Sequence, residues 1–261
     1  MIETLRDSPE VCLVQDDALV GLRLLLAAGR RYQLVLIDPP YCSGARREAE
    51  RAVRGSMLRG DKDRMRCGEE PSGWFDGDNL TIPSYTWLLR SLAVELIDAV
   101  TPGSVFLIFS DWRMYPVVAA AVESAGWRLN NLVVWDKVNI GMGRGYRNRH
   151  ELVAVFSLGT ARKPYRSNVP NVIRVKAVSA ARRVHPTEKP VALLTELASP
   201  WVGPNDRVLD LFAGSGSTGR AAVKLGASCD LVERSPRHAA MTRDRFPKRN
   251  RRRLVMRGGG R

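Results

Sequence analysis

Short apolar runs rich in β-branched residues alternate along this chain with stretches whose apolar residues recur every three or four positions. The first pattern reads as strands and the second as amphipathic helices. Val11 to Gln15 predicts a short strand, and Ala18 to Ala28 a helix with Leu19, Leu22, Leu25 and Leu26 on one face. Tyr32 to Ile37 is apolar apart from Gln33, the pattern of a strand buried on both faces of a parallel sheet. Ser84 to Val100 predicts a long helix, with Pro83 near its first turn and Pro102-Gly103 ending it. Val105 to Phe109 predicts a strand, Tyr115 to Ala125 a helix stopped by Gly126, and Trp127 to Trp135 and Leu152 to Ser157 two further strands. Val191 to Ala198 reads as a helix with Pro190 as its first residue, Arg207 to Phe212 as a strand, Arg220 to Leu225 as a helix and Ala227 to Val232 as a strand. The alternation, without internal repeat, predicts one doubly wound α/β domain over residues 1–246.

The pattern fails in three places, and these hold most of the charge. Cys42 to Asp78 is rich in Gly and Arg, with Trp74 and Phe75 near its end; Gly159 to Val184 is irregular and basic; Phe246 to Arg261 is basic and Gly-rich. A non-periodic stretch as long as the first is functional or disordered in a compact domain. It is expected to be a mobile loop contacting nucleic acid, helical around Arg46 to Leu58, and the tail is expected to be disordered. The chain's net charge is +14 over 261 residues. Ten Lys/Arg face the single acid Glu151 between Gly141 and Arg183, eleven face Asp244 from Arg234 onward, and eight face four acids between Cys42 and Arg66. The remainder is acidic. Basic zones on an acidic body are the footprint of a polyanion partner, whereas a merely solvated surface mixes its signs.

Composition excludes several classes. No apolar run is long enough to span a membrane and the amino terminus has no signal-peptide pattern, so a cytoplasmic location is expected. Four scattered cysteines and three histidines give neither a Cys-x-x-Cys pair nor a zinc-ligand spacing.

The strand Tyr32 to Ile37 runs directly into Asp38-Pro39-Pro40-Tyr41. Two prolines fix their own φ and lack donors, so this turn is rigid. It lies at the carboxyl end of a strand, where open α/β sheets bind ligands. A carboxylate (Asp38) and a rigid carbonyl (Pro39) can each accept one N–H of a planar amine. They thereby stabilise the positive charge that develops as its nitrogen becomes tetrahedral. Tyr41 offers a ring for stacking an extruded base. The plain alternative is a Pro-Pro turn with Asp38 as a helix cap. A second motif follows Asp210 and Phe212: Ala213-Gly214-Ser215-Gly216-Ser217-Thr218-Gly219 opens a helix, and Glu233 ends the next strand. Its glycines fit G-x-G-x-x-G, with the acid placed to accept from ribose hydroxyls. Alone, this says only that an adenosine-containing ligand binds. His185-Pro186-Thr187-Glu188-Lys189-Pro190 leads into a helix whose amino end can meet a carboxylate. Asp16 and Asp17 cap a helix or line the crevice. In Gly141 to Arg149, glycines with Arg144, Tyr146, Arg147 and Arg149 suit phosphate contact and base stacking.

Asp38-Pro39-Pro40-Tyr41 and Phe212-Ala213-Gly214-Ser215-Gly216 together resemble the amino-group DNA methyltransferases that use S-adenosylmethionine. With the catalytic motif first and the cofactor loop last, the order resembles the β class of bacterial and phage enzymes, over residues 11 to 246. The resemblance implies a circularly permuted Rossmann-like sheet of about seven strands, the last inserted antiparallel near Leu152 to Ser157. It implies S-adenosyl-L-methionine as cofactor and double-stranded DNA as partner, and it allows a homodimer and a companion restriction enzyme. By residue, it places Asp38 on the target amine and the cofactor's methionine end, Pro39 on the second N–H, and Tyr41 on the flipped base. Asp210, Phe212, Ala213, Gly214, Gly216, Ser217 and Thr218 would surround the cofactor, with Glu233 on its ribose. Thr187 and Lys189 would hold its carboxylate, and Asp16 or Asp17 would reach its adenine. Arg46, Arg47, Arg144, Tyr146, Arg147 and Arg149 would contact DNA. The chain departs from the class in the short gap of Gly159 to Val184, where longer target-recognition regions are common. Asp at the first catalytic position resembles adenine-N6 enzymes, and Ser there the cytosine-N4 enzymes. Cytosine C5 chemistry needs a cysteine nucleophile, and Cys42 has no adjacent base in sequence. Two rivals remain: a Rossmann oxidoreductase, which leaves Asp38 to Tyr41 idle, and a nucleic-acid-binding module without catalysis.

Overall fold

In the computed structural model of the protein, residues 1–40, 80–141, 145–178 and 188–246 are described. The strands are β1 (Ile2–Asp7), β2 (Glu10–Val14), β3 (Tyr32–Ile37), β4 (Val100–Ser110), β5 (Arg128–Asp136), β6 (His150–Ser157), β7 (Val172–Arg174), β8 (Arg207–Asp210) and β9 (Ser228–Val232). The helices among the described residues are α1 (Ala18–Ala27), α2 (Ile82–Ala99), α3 (Tyr115–Glu123), α4 (Val191–Ala198), α5 (Ser217–Lys224) and α6 (Pro236–Arg245).

All nine strands among the described residues join one sheet in the order β1-β2-β9-β8-β3-β4-β6-β5-β7. From β2 to β4 every neighbouring pair is parallel. β6 runs antiparallel to both β4 and β5, the reversed strand expected near Leu152 to Ser157. Side chains alternate across the pleat, so β3 serves two cores. Val35 and Ile37 pack beneath α1, α2 and α3. Leu34 and Leu36 pack on the other face with α4, α5 and α6. The doubly wound α/β architecture is therefore present, with helices on both faces of a mostly parallel sheet.

The count of about seven strands is corrected to nine among the described residues. The two additions are edge strands, β1 at one margin and β7 at the other. In β1 only Leu5 is buried, so the sequence Ile2-Glu3-Thr4-Leu5-Arg6-Asp7 lacks the apolar run of a central strand. β7 has three residues with Ile173 alone buried, inside a segment expected to be irregular. Helix α6 was also not anticipated. It buries little beyond Ala239 and Thr242, and Ser235 caps it by accepting from the His238 N–H. Phe246, at the boundary between the expected domain and the basic tail, is 8% exposed and joins the core under α5.

Pro102-Gly103 does not end α2. The helix stops at Ala99 and β4 continues through the pair. Tyr32 is level with Val100 and Leu34 with Val105, so residues 101–104 bulge where β3 has one residue. Ser104 Oγ donates to the Tyr32 carbonyl at 2.8 Å, and the missing Pro102 N–H costs no ladder bond there. Pro190, expected as the first residue of α4, is its N-cap.

Candidate active site

The parallel strands bring their carboxyl ends to one edge, and the motif residues collect there. Asp38 follows β3, Asp111 follows β4, Asp210 ends β8, Glu233 follows β9, and Asp16 and Asp17 follow β2. The Asp38-Pro39-Pro40 turn is described to Pro40, with Pro39 buried and the Asp38 side chain 24% exposed. Asp38 therefore opens onto the crevice while its support is packed.

Lys189 reaches this edge from the segment before α4. Its ammonium is hydrogen-bonded to Asp38 Oδ2 and lies 3.3 Å from Glu151 Oε2 and 4.9 Å from the centre of the Phe109 ring. Burial alone would depress a lysine pKa, but the Asp38 and Glu151 carboxylates outweigh it and hold the ammonium above its ordinary value. Burial works against the Glu151 charge in the same way, yet Lys189 and Lys137 leave that carboxyl below its ordinary range. Lys137 Nζ stands 2.5 Å from Glu151 Oε1. The result is a chain of alternating charges, Asp38, Lys189, Glu151 and Lys137, built from β3, the segment before α4, β6 and the residue after β5.

The glycine loop is shaped by its own backbone. Gly214 and Gly216 have φ of +52° and +77°, values that L side chains avoid. A Cβ on Gly216 would come within 2.9 Å of Thr242 in α6, and Thr242 Oγ1 donates to the Gly214 carbonyl at 3.0 Å. Glu233 Oε2 accepts the Gly214 N–H at 2.7 Å and Oε1 accepts the Ser235 N–H at 2.8 Å. A carboxylate has about four lone-pair directions, so two remain for a ligand. Asp210 is buried and accepts the Phe212 N–H at 2.9 Å. Burial, helped by the nearby charges of Asp38 and Glu233, outweighs the pull of Thr218 and the Phe212 N–H and leaves its pKa raised to about 7.

Other candidates are placed as follows. Asp17 caps α1 by accepting the Leu19 N–H, and Asp16 accepts the Asp17 N–H. Ser217 accepts from Arg245, whose other nitrogen pairs with Glu188. This ties α6 to the start of α5 and to the segment before α4. Ala213 donates its N–H to the Val232 carbonyl at 3.0 Å. Tyr146 is fully exposed. Arg147 Nε donates to the Gly141 carbonyl at 2.7 Å, and Arg149 forms a two-point ion pair with Asp136. These two arginines thus already brace the ribbon after β5, a duty the sequence did not suggest. Tyr41, Arg46, Arg47, Arg144 and Thr187 lie outside the described residues. Sequence reasoning missed Lys137 and Glu151. Glu151 carried a signal: it is the single acid in the basic stretch Gly141 to Arg183 and stands at the head of an apolar strand.

The family model for DNA methylases of the N6/N4 type matches residues 32–244, which contain both motifs and the strands between them. The chain belongs to this DNA methylase family. Family membership accounts for the Asp38 turn together with the glycine loop, which the oxidoreductase reading could not. Over 198 residues the methylase is 27% identical to the protein of Escherichia coli (strain K12) named "Putative methylase YubD", covering 76% of this chain and 74% of that one. Its fold matches the complex of M1.HpyAVI with S-adenosylmethionine at 19% identity and a TM-score of 0.63, covering 90% and 99% of the two chains. It also matches the cytosine-N4-specific PvuII DNA methyltransferase at 17% identity and a TM-score of 0.66, covering 92% and 87%. No helix among the methylase's described residues is long and apolar enough to cross a membrane, and none of their His, Cys, Asp and Glu side chains cluster as a metal site.

Proposed function

We propose that this methylase transfers the methyl group of S-adenosyl-L-methionine to the exocyclic amine of a base flipped out of double-stranded DNA, with adenine N6 as acceptor. The observation that carries the reading is the convergence on one sheet edge of the Asp38-Pro39 turn with the glycine loop and Glu233. The cofactor supplies a sulfonium-bound methyl group. The residues fit such a ligand: positive-φ glycines bring backbone close, and Glu233 keeps two acceptor directions. Asp38 and the Pro39 carbonyl hold the amine by its two N–H groups and face the charge that grows on its nitrogen. Tyr41 supplies the stacking surface for the extruded base. Adenine is favoured over cytosine by the aspartate at the head of the catalytic turn. The basic stretches, including Arg46, Arg47, Arg144, Tyr146, Arg147 and Arg149, meet the phosphate backbone and carry affinity more than sequence preference.

The decisive experiment is methylation of DNA with methyl-labelled cofactor, followed by digestion and separation of the nucleosides. Label in N6-methyldeoxyadenosine is expected. Label in N4-methyldeoxycytidine would move the acceptor, and label in neither would sink the proposal.

A second expectation concerns Glu233. Glu233→Ala removes both the ribose acceptor and the partner of the Gly214 and Ser235 N–H groups. Cofactor affinity measured by calorimetry should fall about 10- to 100-fold, corresponding to one or two charge-assisted hydrogen bonds. DNA affinity should stay close to wild type, because an anionic side chain contributes nothing to phosphate binding. Unchanged cofactor affinity would remove Glu233 from the site.

A further inference from the structure

We propose that Glu151 is a positioning residue for methyl transfer: by holding the Lys189 ammonium, it leaves the negative charge of Asp38 available to the acceptor amine. The inference rests on the function proposed above and adds a residue to its machinery. In that reaction positive charge grows on the amine nitrogen, and a neighbouring carboxylate stabilises it only as far as that carboxylate is not already neutralised. Lys189 is hydrogen-bonded to Asp38 Oδ2, so on its own it would cancel the charge that the reaction uses. It is 8% exposed and sits over the Phe109 ring, so its ammonium is met by protein rather than by water.

Glu151 meets it. The carboxylate lies 3.3 Å from Lys189, at the start of β6, which antiparallel pairing brings level with the carboxyl end of β4. The antiparallel pairing of Trp135 with Glu151 and Asp136 with His150 fixes its position, and Lys137, at 29% exposure, takes its other oxygen near the surface. Two carboxylates then share one enclosed ammonium. Asp38, the one that opens onto the crevice, keeps part of its charge. If Glu151 served only as a counter-ion for a buried lysine, its loss would lower stability and leave turnover per folded molecule unchanged.

The test compares wild type, Glu151→Gln, Lys189→Gln and the double variant at saturating S-adenosylmethionine and DNA, with thermal melts of each. Glu151→Gln keeps volume and hydrogen bonding but commits the Lys189 charge to Asp38. Its kcat should fall about 10²-fold, with KM for DNA within about threefold of wild type. The double variant removes both charges and should recover about tenfold of that loss, the non-additivity expected of residues acting through one another. If Glu151→Gln fails to fold, Lys189→Gln and the double variant decide. They should share one kcat, because with a neutral residue at 189 no ammonium links Glu151 to Asp38. Wild-type turnover in folded Glu151→Gln, a double variant no faster than that single variant, or a further loss on the Lys189→Gln background would each overturn the inference while leaving the proposed function intact. Absence of transfer by the wild-type protein would overturn both.

Discussion

Asp38→Ala protein is expected to fold, to bind S-adenosylmethionine and DNA, and to transfer methyl groups about 10³-fold more slowly than wild type. The estimate follows from losing the one carboxylate at the end of β3 that opens onto the crevice. The competing account is structural, since Asp38 pairs with a buried lysine and a lost partner can leave an uncompensated charge. Here that cost is limited, because Glu151 remains beside Lys189 at 3.3 Å. Asp38→Asn separates the two accounts further. It keeps the shape of the turn and one acceptor oxygen but not the charge, so its turnover should also be low while its melting temperature stays near wild type. The measurements are single-turnover methylation rates, with calorimetric cofactor binding and thermal melts on the same preparations. Near-normal turnover in folded Asp38→Ala protein would remove Asp38 from the chemistry.

The central sheet was readable in the sequence because burial on both faces writes itself as continuous apolar runs, as in β3 and β4. The glycine loop was equally legible. The positive φ at Gly214 and Gly216 demands the residue type that the motif shows. The margins were not legible. β1 and β7 bury one side chain each, so they carry no strand period that a reader could detect. Pro102-Gly103 misled for a physical reason: a bulge opposite Gln33 lets a proline sit inside β4 without losing a ladder bond. The charge network around Asp38 was half visible. Lys189 stood out in its Pro-Thr-Glu-Lys-Pro setting, but its pairing with Asp38 and Glu151 joins residues distant in sequence and depends on the β4-β6-β5 order. Arg147 and Arg149 have contacts that the sequence did not show: Arg149 pairs with Asp136, and Arg147 donates to the Gly141 carbonyl.

The largest effect on stability is expected at the opposite edge, from Arg207→Met. Arg207 joins the amino ends of the strands: it lies 3.1 Å from Asp230 Oδ1 and 2.5 Å from Glu10 Oε2. Asp230 is fully buried and also accepts from the Tyr32 hydroxyl at 2.9 Å, while Arg30 forms a two-point pair with Glu10. Removing Arg207 leaves Asp230 in the core with Arg30 no nearer than 3.9 Å. Breaking a buried pair in this way costs about 3–5 kcal/mol. At roughly 2–4 °C per kcal/mol for a chain near this size, the melting temperature should fall by about 6–20 °C. The pH dependence has a definite sign. Burial already raises the Asp230 pKa above its ordinary value in wild type, despite the opposing pull of Arg207. Without the guanidinium it rises further. The folded variant then binds a proton that the unfolded chain does not, so its stability falls as pH rises through that range. Melts at pH 5 and pH 8 should therefore show the larger deficit at pH 8. Glu10 acts in the other direction: Arg30 and Arg207 hold it at about 2 against its usual 4.5, so its stabilisation is complete above pH 4.5 and fades as pH falls towards 2. Arg207→Met combined with Asp230→Asn should recover most of the loss, since no buried charge is then stranded. Turnover measured well below the melting transition should be unaffected, because the network lies at the amino ends of the strands and the proposed reaction site at their carboxyl ends. A deficit below about 1 kcal/mol, or one equal at both pH values, would show that Asp230 keeps its compensation without Arg207.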